Sequence, residues 1–315
     1  MTDITDRETT RPIAIPEEST GDARVRRRDD GAVLRMSEAD ASVMAGGGDD
    51  PANDVDGGQR MILNMGPAHP STHGVLRLML ELEGETVLRS KPVIGYLHTG
   101  MEKTGEGLTY LQGPTNVTRM DYAAPLFCEL VYSMAVESLL GIDVPPRATW
   151  IRMLMCELNR VSSHLLFQAT NGMDLGAVSM MIFGWREREE VLRFFEMVTG
   201  LRMNHNYIRP GGVAADLPDG WEADLVRLLE IIPPRLDEYE VLLNKQPIFR
   251  DRLQGVGVIN TAEALALSAT GPILRATGYD WDLRRDEPYL AYDQVAFDVV
   301  VGAHEIGRAS CRGRV

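Results

Sequence analysis

The sequence predicts a mainly α fold with minor β structure: a long helical bundle that opens on an N-terminal β-hairpin. Three observations carry this expectation. Leucines alternate with Arg77, Met79, Glu81 and Glu83 from Leu76 to Leu82, which is strand periodicity. Ile151, Met155, Leu158, Val161 and Leu165 recur at helical spacing. Two further helical stretches follow, at Arg186–Thr199 and about Asp219–Asn244.

In chain order, structure is expected to begin near Met61. Glu83-Gly84-Glu85 makes a turn and Thr86–Arg89 a return strand, closing the hairpin. Residues 122–140 read as one helix that stops before Gly141. Pro145-Pro146 prepares the next start, and the second helix runs from Ala148 to about Gln168. On a separate face of that helix, Glu157, Arg160 and His164 stand at i, i+3 and i+7. The third helix begins in the charged turn at Arg186 and ends at Gly200. Gly255–Ile259 reads as a short buried strand, and Gln294–Val300 as extended chain. No internal repeat is visible.

Composition narrows the function classes. The 315 residues are 44% hydrophobic and 25% charged, ordinary for a globular protein of one large or two smaller domains. With 46 acids against 32 bases the net charge is −14, which disfavours a nucleic-acid binder because phosphates attract Lys and Arg. The bases are 29 Arg and only 3 Lys, a set suited to fixed bidentate contacts. The longest uncharged apolar run, Leu175–Trp185, has 11 residues, whereas a spanning helix needs about 20. Cys128, Cys156 and Cys311 form no Cys-x-x-Cys pair, so no self-contained cysteine metal site is expected. The acidic N-terminus resembles neither a secretory signal nor a mitochondrial presequence, which makes a reducing cytoplasm the natural compartment. Residues 1–58, with 14 acids, 7 Arg and no aromatic residue, read as an acidic disordered extension.

Five segments gather groups that carry chemistry. In Gly66-Pro67-Ala68-His69-Pro70-Ser71-Thr72-His73-Gly74 the two histidines are four apart, but Pro70 favours a turn over a metal-binding helix. The others are Gly95–Lys103 with His98, Arg119-Met120-Asp121-Tyr122 at a helix start, Met173-Asp174-Leu175-Gly176-Ala177, and Asn204–Gly212. Asp121 is a candidate helix cap and Tyr122 a candidate core residue. Asp174 interrupts an apolar stretch, so it must be capping, paired or raised in pKa. No Gly-x-Gly-x-x-Gly, Walker or Gly-x-Ser-x-Gly motif occurs, and no nucleotide site is visible. A set of His, Tyr, Asp and Arg without a nucleophile suits proton donation and charge stabilisation around a redox or polar ligand.

Taken together, and with Arg186–Glu189 and Tyr207–Pro218, these segments closely resemble the D-type subunit family of bacterial NADH:quinone oxidoreductase, respiratory complex I, from about Met61 to Gly302. The resemblance implies the fold of the nickel–iron hydrogenase large subunit, with a quinone cavity where the hydrogenase holds its metals. It implies that His73 and Tyr122 contact the quinone head group, that Asp174 pairs with that histidine, and that His69 and Arg119 lie near the terminal iron–sulfur cluster of a neighbouring subunit. His98 receives no separate role. On this reading the chain binds no iron–sulfur cluster alone and NADH binds another subunit. The implied partners are the terminal iron–sulfur subunit, the C-type subunit homologue and membrane-arm subunits, with no nucleic acid. The implied location is peripheral, on the cytoplasmic side of the inner (plasma) membrane, and the reaction is coupled to proton translocation. Many family members carry a cluster-linked histidine where this chain has Asn204 followed by His205. The tail 305–315 does not follow the family pattern, which implies a truncated frame and a domain spanning 59–304. Two alternatives stand beside this reading: a subunit of a related hydrogenase-type or ferredoxin-linked complex, and a metal hydrolase built on His69, His73 and Asp174.

Overall fold

The computed structural model describes residues 26–28, 31–33, 60–68 and 74–302. The chain divides into two compact units, Met1–Thr99 and Gly100–Val315. Within the first, β1 (Arg26–Arg28) pairs antiparallel with β2 (Gly31–Val33), inside the segment expected to lack structure. The rest of residues 1–58 and the tail 305–315 lie outside the described residues.

The predicted hairpin is present as β4 (Arg77–Glu83) and β5 (Thr86–Val93), turned at Gly84, where φ is +60°. A strand the alternation did not reveal, β3 (Arg60–Met65), adds to its other edge, giving the antiparallel order β3-β4-β5. Glu81 on the central strand is buried between Arg60, at 3.5 Å, and Arg89, at 3.9 Å. Opposite charges on flanking strands offset the cost of desolvating that carboxylate.

The second unit begins with two short helices, α1 (Met101–Glu106) and α2 (Gly113–Val117). Its frame is α3 (Pro125–Leu140), α4 (Pro146–Asp174) and α5 (Ser179–Thr199). Proline occupies the first turn of α3 and α4, where its missing N–H costs nothing. Left-handed Gly141 and Gly200 end α3 and α5, as the sequence predicts. Both boundaries between α4 and α5 differ from expectation. Helix α4 continues six residues beyond Gln168, and α5 starts seven residues before Arg186. The reason is close packing. A Cβ on Gly184 would stand 2.8 Å from Ala169 Cβ and 2.9 Å from the Leu165 carbonyl, and one on Gly172 would stand 2.8 Å from Met180 Cβ. Small residues let the two helices touch.

Leu126, Leu130, Ile151, Met155, Leu158, Val191, Leu192 and Phe195 form the buried centre of this frame. Burying such side chains contributes about 1.5–3 kcal/mol each. The hairpin β6 (Ile208–Arg209) and β7 (Gly212–Val213) follows, then α6 (Trp221–Tyr239), which passes into a π-helical turn at Glu240–Asn244. Short helices α7 (Pro247–Leu253), α8 (Thr261–Ala266), α9 (Gly271–Ala276) and α10 (Leu283–Asp286) complete it. The expected strand at Gly255–Ile259 is irregular chain. Gly255 and Gly257 have positive φ, which breaks an extended run, and Val256 and Val258 are exposed. Gln294–Val300 follows a 3₁₀ turn at Tyr292–Gln294 and pairs with no strand among the described residues. Among those residues, too, no helix is long and apolar enough to cross a membrane.

Gly184→Ala should therefore lower stability by about 1–3 kcal/mol through overpacking of α4 against α5. A denaturant midpoint unchanged from wild type would contradict this packing.

Candidate functional site

His69 and His73 lie outside the described residues. The segment carrying Arg119 and Tyr122 is the loop between α2 and α3. Arg119 Nη1 donates to the Thr115 carbonyl at 2.5 Å, placing a cation at the C-terminal end of α2. Asp121 does not cap α3. Its Oδ1 accepts from the Ala123 amide at 2.9 Å, and the N-cap is Ala124. Tyr122 is not core: it is 66% exposed. Asn159 of α4 holds this loop, donating to the Ala123 carbonyl at 3.0 Å and accepting from the Leu126 amide at 3.1 Å.

Asp174 is the last residue of α4 and is exposed. The turn after it closes through the backbone. Gly176, at φ +91°, lets the Ala177 amide reach the Gly172 carbonyl at 2.8 Å. At about 1.5 Å per residue, roughly 22 Å of helix separates Asp174 from Asn159, where the Tyr122 loop docks. The structure does not bring these two predicted residues together.

Sequence reasoning missed the ion system that fixes the loop after α5. Glu129, fully buried on α3, accepts from the amides of Asn206 at 2.6 Å, Tyr207 at 2.8 Å and Ile208 at 2.9 Å. Burial pushes its carboxyl above the usual range, and the three amide donors oppose that rise. Two turns along α3, Glu137 accepts a bidentate pair from Arg152 at 3.0 and 2.5 Å, and the Gly211 amide at 2.7 Å. Arg152 also donates to the carbonyls of Gly212 at 3.0 Å and Arg209 at 2.7 Å. The available signal was Glu129 and Glu137 sharing one face of an otherwise apolar helix.

Beyond this anchor lies a cluster around Arg188. Arg188 of α5 is 2% exposed. Its guanidinium sits over the Trp185 ring, 4.8 Å from the centroid, a contact worth about 0.5–2 kcal/mol. Nη2 reaches Met203 Sδ at 3.5 Å, and Nε has no partner. Burial and the charge of Arg202 lower its pKa, while Glu189 and the Tyr122 phenol oppose that. The next residues are strained and under-satisfied. Asn204 and Asn206 have φ of +55° and +49°, and their Oδ1 atoms lack partners. His205 points inward: its ring packs edge-on against Phe195 at 4.9 Å, and Nε2 lies 3.1 Å from the Arg202 carbonyl. Burial holds its pKa down at about 4, so it is neutral near pH 7.

The stripe Glu157, Arg160, His164 forms a partly buried network. Glu157 accepts from Arg160 at 3.1 Å, from Arg284 at 3.3 Å and from the Tyr292 hydroxyl. Arg160 lies over Phe127 and Arg284 over Phe297. His164 Nδ1 has no partner, and burial, then Arg160, lower its pKa to about 4. No group of three or more His, Cys, Asp or Glu able to hold a metal occurs among the described residues.

Comparison with known proteins bears on this arrangement. Residues 174–314 match the family described as the respiratory-chain NADH dehydrogenase 49 Kd subunit, so the likeness runs past Gly302, where it was expected to stop. The first of the NADH-quinone oxidoreductase D-type subunits of Salinispora arenicola is 54% identical over 272 residues, 86% of this chain and 60% of that protein. The corresponding protein of Acidothermus cellulolyticus is 57% identical over 242 residues, 76% of this chain and 55% of the relative. That of Mycolicibacterium smegmatis is 56% identical over 245 residues, covering 77% and 55%. The chain thus spans 55–60% of the length of these curated relatives.

His164 and His205 make stability depend on pH. Their folded pKa values, about 4, lie below the unfolded value of about 6.5. Between these limits the unfolded chain binds protons that the folded chain refuses. Stability is therefore full above about pH 6.5 and falls on acidification toward 4, by at most about 1.4 kcal/mol per pH unit for each histidine. Denaturant midpoints between pH 7 and 5 should show this slope, and His164→Gln should make it shallower. An identical slope in that variant would refute the assignment.

Proposed function

We propose, from the premise that this chain belongs to the D-type (49 kDa) subunit family of NADH-quinone oxidoreductases, that it forms the quinone-facing part of such an enzyme. Electrons from NADH, bound by another subunit, reach the quinone through iron–sulfur clusters held by neighbouring subunits. This chain supplies the protein groups that meet the quinone. Its partners are the terminal iron–sulfur subunit, the C-type subunit homologue and the membrane-arm subunits that translocate protons. It lies peripherally on the cytoplasmic side of the inner membrane.

The observation that carries this reading is Tyr122, a phenol exposed at the start of α3 that makes no hydrogen bond among the described residues. A hydroxyl left open to a ligand and held on a docked loop can donate to a carbonyl oxygen of the quinone. Reduction takes two electrons and two protons, and His73 is assigned the second donor. Asp174 favours the charged form of that imidazole. His69 and Arg119 place positive charge toward the terminal cluster, which favours electron arrival.

Two measurements test these roles. Tyr122→Phe removes one hydroxyl and keeps the ring, so quinone reduction should fall about 10- to 150-fold, equivalent to about 1.5–3 kcal/mol. NADH oxidation by an artificial acceptor upstream should be unchanged. Full quinone turnover in an assembled Tyr122→Phe complex would reject the donor role. Asp174→Asn separates chemistry from folding, because a carboxylate at a helix C-terminus is disfavoured by the dipole. Assembly of the complex should hold while turnover falls. Unaltered turnover would remove Asp174 from the site.

A further inference from the structure

We infer that Arg252 is a positioning residue for Asp174: its guanidinium clamps the turn that ends α4 and so fixes where that carboxylate stands. The inference deepens the proposed function and rests on Asp174 as part of the quinone site. Asp174 is the exposed last residue of α4, so the direction of its side chain follows from how that helix ends. A carboxylate that must favour a nearby cation loses effect with distance, and a turn that drifts weakens it.

Three observations converge on Arg252. First, it completes the closure of α4. The Gly176 amide donates to the Met173 carbonyl at 2.9 Å and the Ala177 amide to the Gly172 carbonyl at 2.8 Å, the paired bonds of a Schellman ending. The Leu175 carbonyl lies outside that pattern, and Arg252 Nη1 donates to it at 2.5 Å. The acceptor belongs to the residue next to Asp174, and the cation stands at the C-terminal end of α4, where the helix dipole favours it. Second, the guanidinium lies against Gly176. A Cβ on that glycine would stand 2.2 Å from Nη1 and 3.3 Å from Cζ, so Arg252 occupies the space a side chain would need. Glycine is required there twice, by a φ of +91° and by this close approach. Third, α7 is packed onto the same turn. Phe249 and Leu253, four apart, join the apolar cluster that holds Leu175, Ala177 and Met180. Arg252, three residues from Phe249, falls beside them on that face of α7.

The apolar contacts bring α7 to the turn, and the guanidinium sets its register there. Residues 77 apart in sequence meet in this one bond. The bond is to the backbone, so Arg252 acts by holding the turn in shape. Helix ends fray readily, and an exposed one does so most. A cation on the Leu175 carbonyl and a flat group laid over Gly176 both oppose that opening. A single donor reaches the carbonyl, so lysine can replace the arginine in large part. Methionine keeps an unbranched side chain but supplies neither donor nor charge.

The test uses the assembled complex and reads both turnover and the turn itself. Arg252→Met should lower NADH:quinone turnover about tenfold, by no more than Asp174→Asn does, while KM for quinone stays within about twofold. Arg252→Lys should recover turnover to within about threefold of wild type. Hydrogen exchange at the Gly176 and Ala177 amides should quicken about tenfold in Arg252→Met and stay near wild type in Arg252→Lys. Arg252→Gln, shorter and uncharged, takes the place of the Met variant if that one fails to assemble. In an Asp174→Asn background Arg252→Met should add less than about a twofold loss, since the group it acts through is gone. Unchanged exchange at the two amides, full turnover in Arg252→Met, or equal losses in both backgrounds would overturn the inference. Full turnover in Asp174→Asn alone would instead reject the reading on which it rests.

Discussion

The carboxylate of Glu129 is the interaction on which the larger unit depends. It is fully buried and is shared among three consecutive backbone amides of the loop that follows α5. A buried carboxylate without donors would cost several kcal/mol, and three orphaned amides would cost about 1–3 kcal/mol each. Each side therefore requires the other. The same arrangement recurs two turns along α3, where Glu137 and Arg152 hold the β6–β7 hairpin through its amides and carbonyls. The hairpin has too few strand bonds to stand alone, and its position is set by charge on the helices beneath it.

That constraint propagates to the site. Fixing Asn206–Ile208 fixes the strained residues just before them, with Asn204 and Asn206 held at positive φ. It thereby places Met203 against Arg188, and Arg188 against Trp185. The Tyr122 loop is tied from the other side by Asn159. The result is a buried, incompletely bonded cation on a frame that resists rearrangement. The inward turn of His205 belongs to the same logic. Once the loop is pinned by its amides, the ring packs on Phe195, and burial keeps it uncharged.

A second, partly buried network joins α4 to the C-terminal segment. Glu157 gathers Arg160, Arg284 and Tyr292, and Asp282 gathers Arg275 and Arg284. Such networks stabilise less than their Coulomb energy suggests, because desolvation offsets the attraction. Their value here is register. They fix which face of α4 meets the irregular chain after α9, where little regular secondary structure exists to do so.

Much of the architecture was legible in the sequence because it is written locally. The β4–β5 hairpin follows from two-residue alternation, and the ends of α3 and α5 follow from Gly141 and Gly200, which can adopt left-handed backbone. The side chains at Tyr122, Asp174, Arg119, His69 and His73 stood out through motif and resemblance. Tertiary structure decided what lay between elements distant in the chain. The added strand β3 and the meeting of Gly172 and Gly184 in one helix contact depend on neighbours no local pattern encodes. So does the burial of Glu129, Arg152 and Arg188, whose partners lie 77, 60 and 15 residues away. Local periodicity reports which face of a segment is apolar. Which buried charge meets which distant amide, ring or phenol is set only when helices close on one another and exclude water.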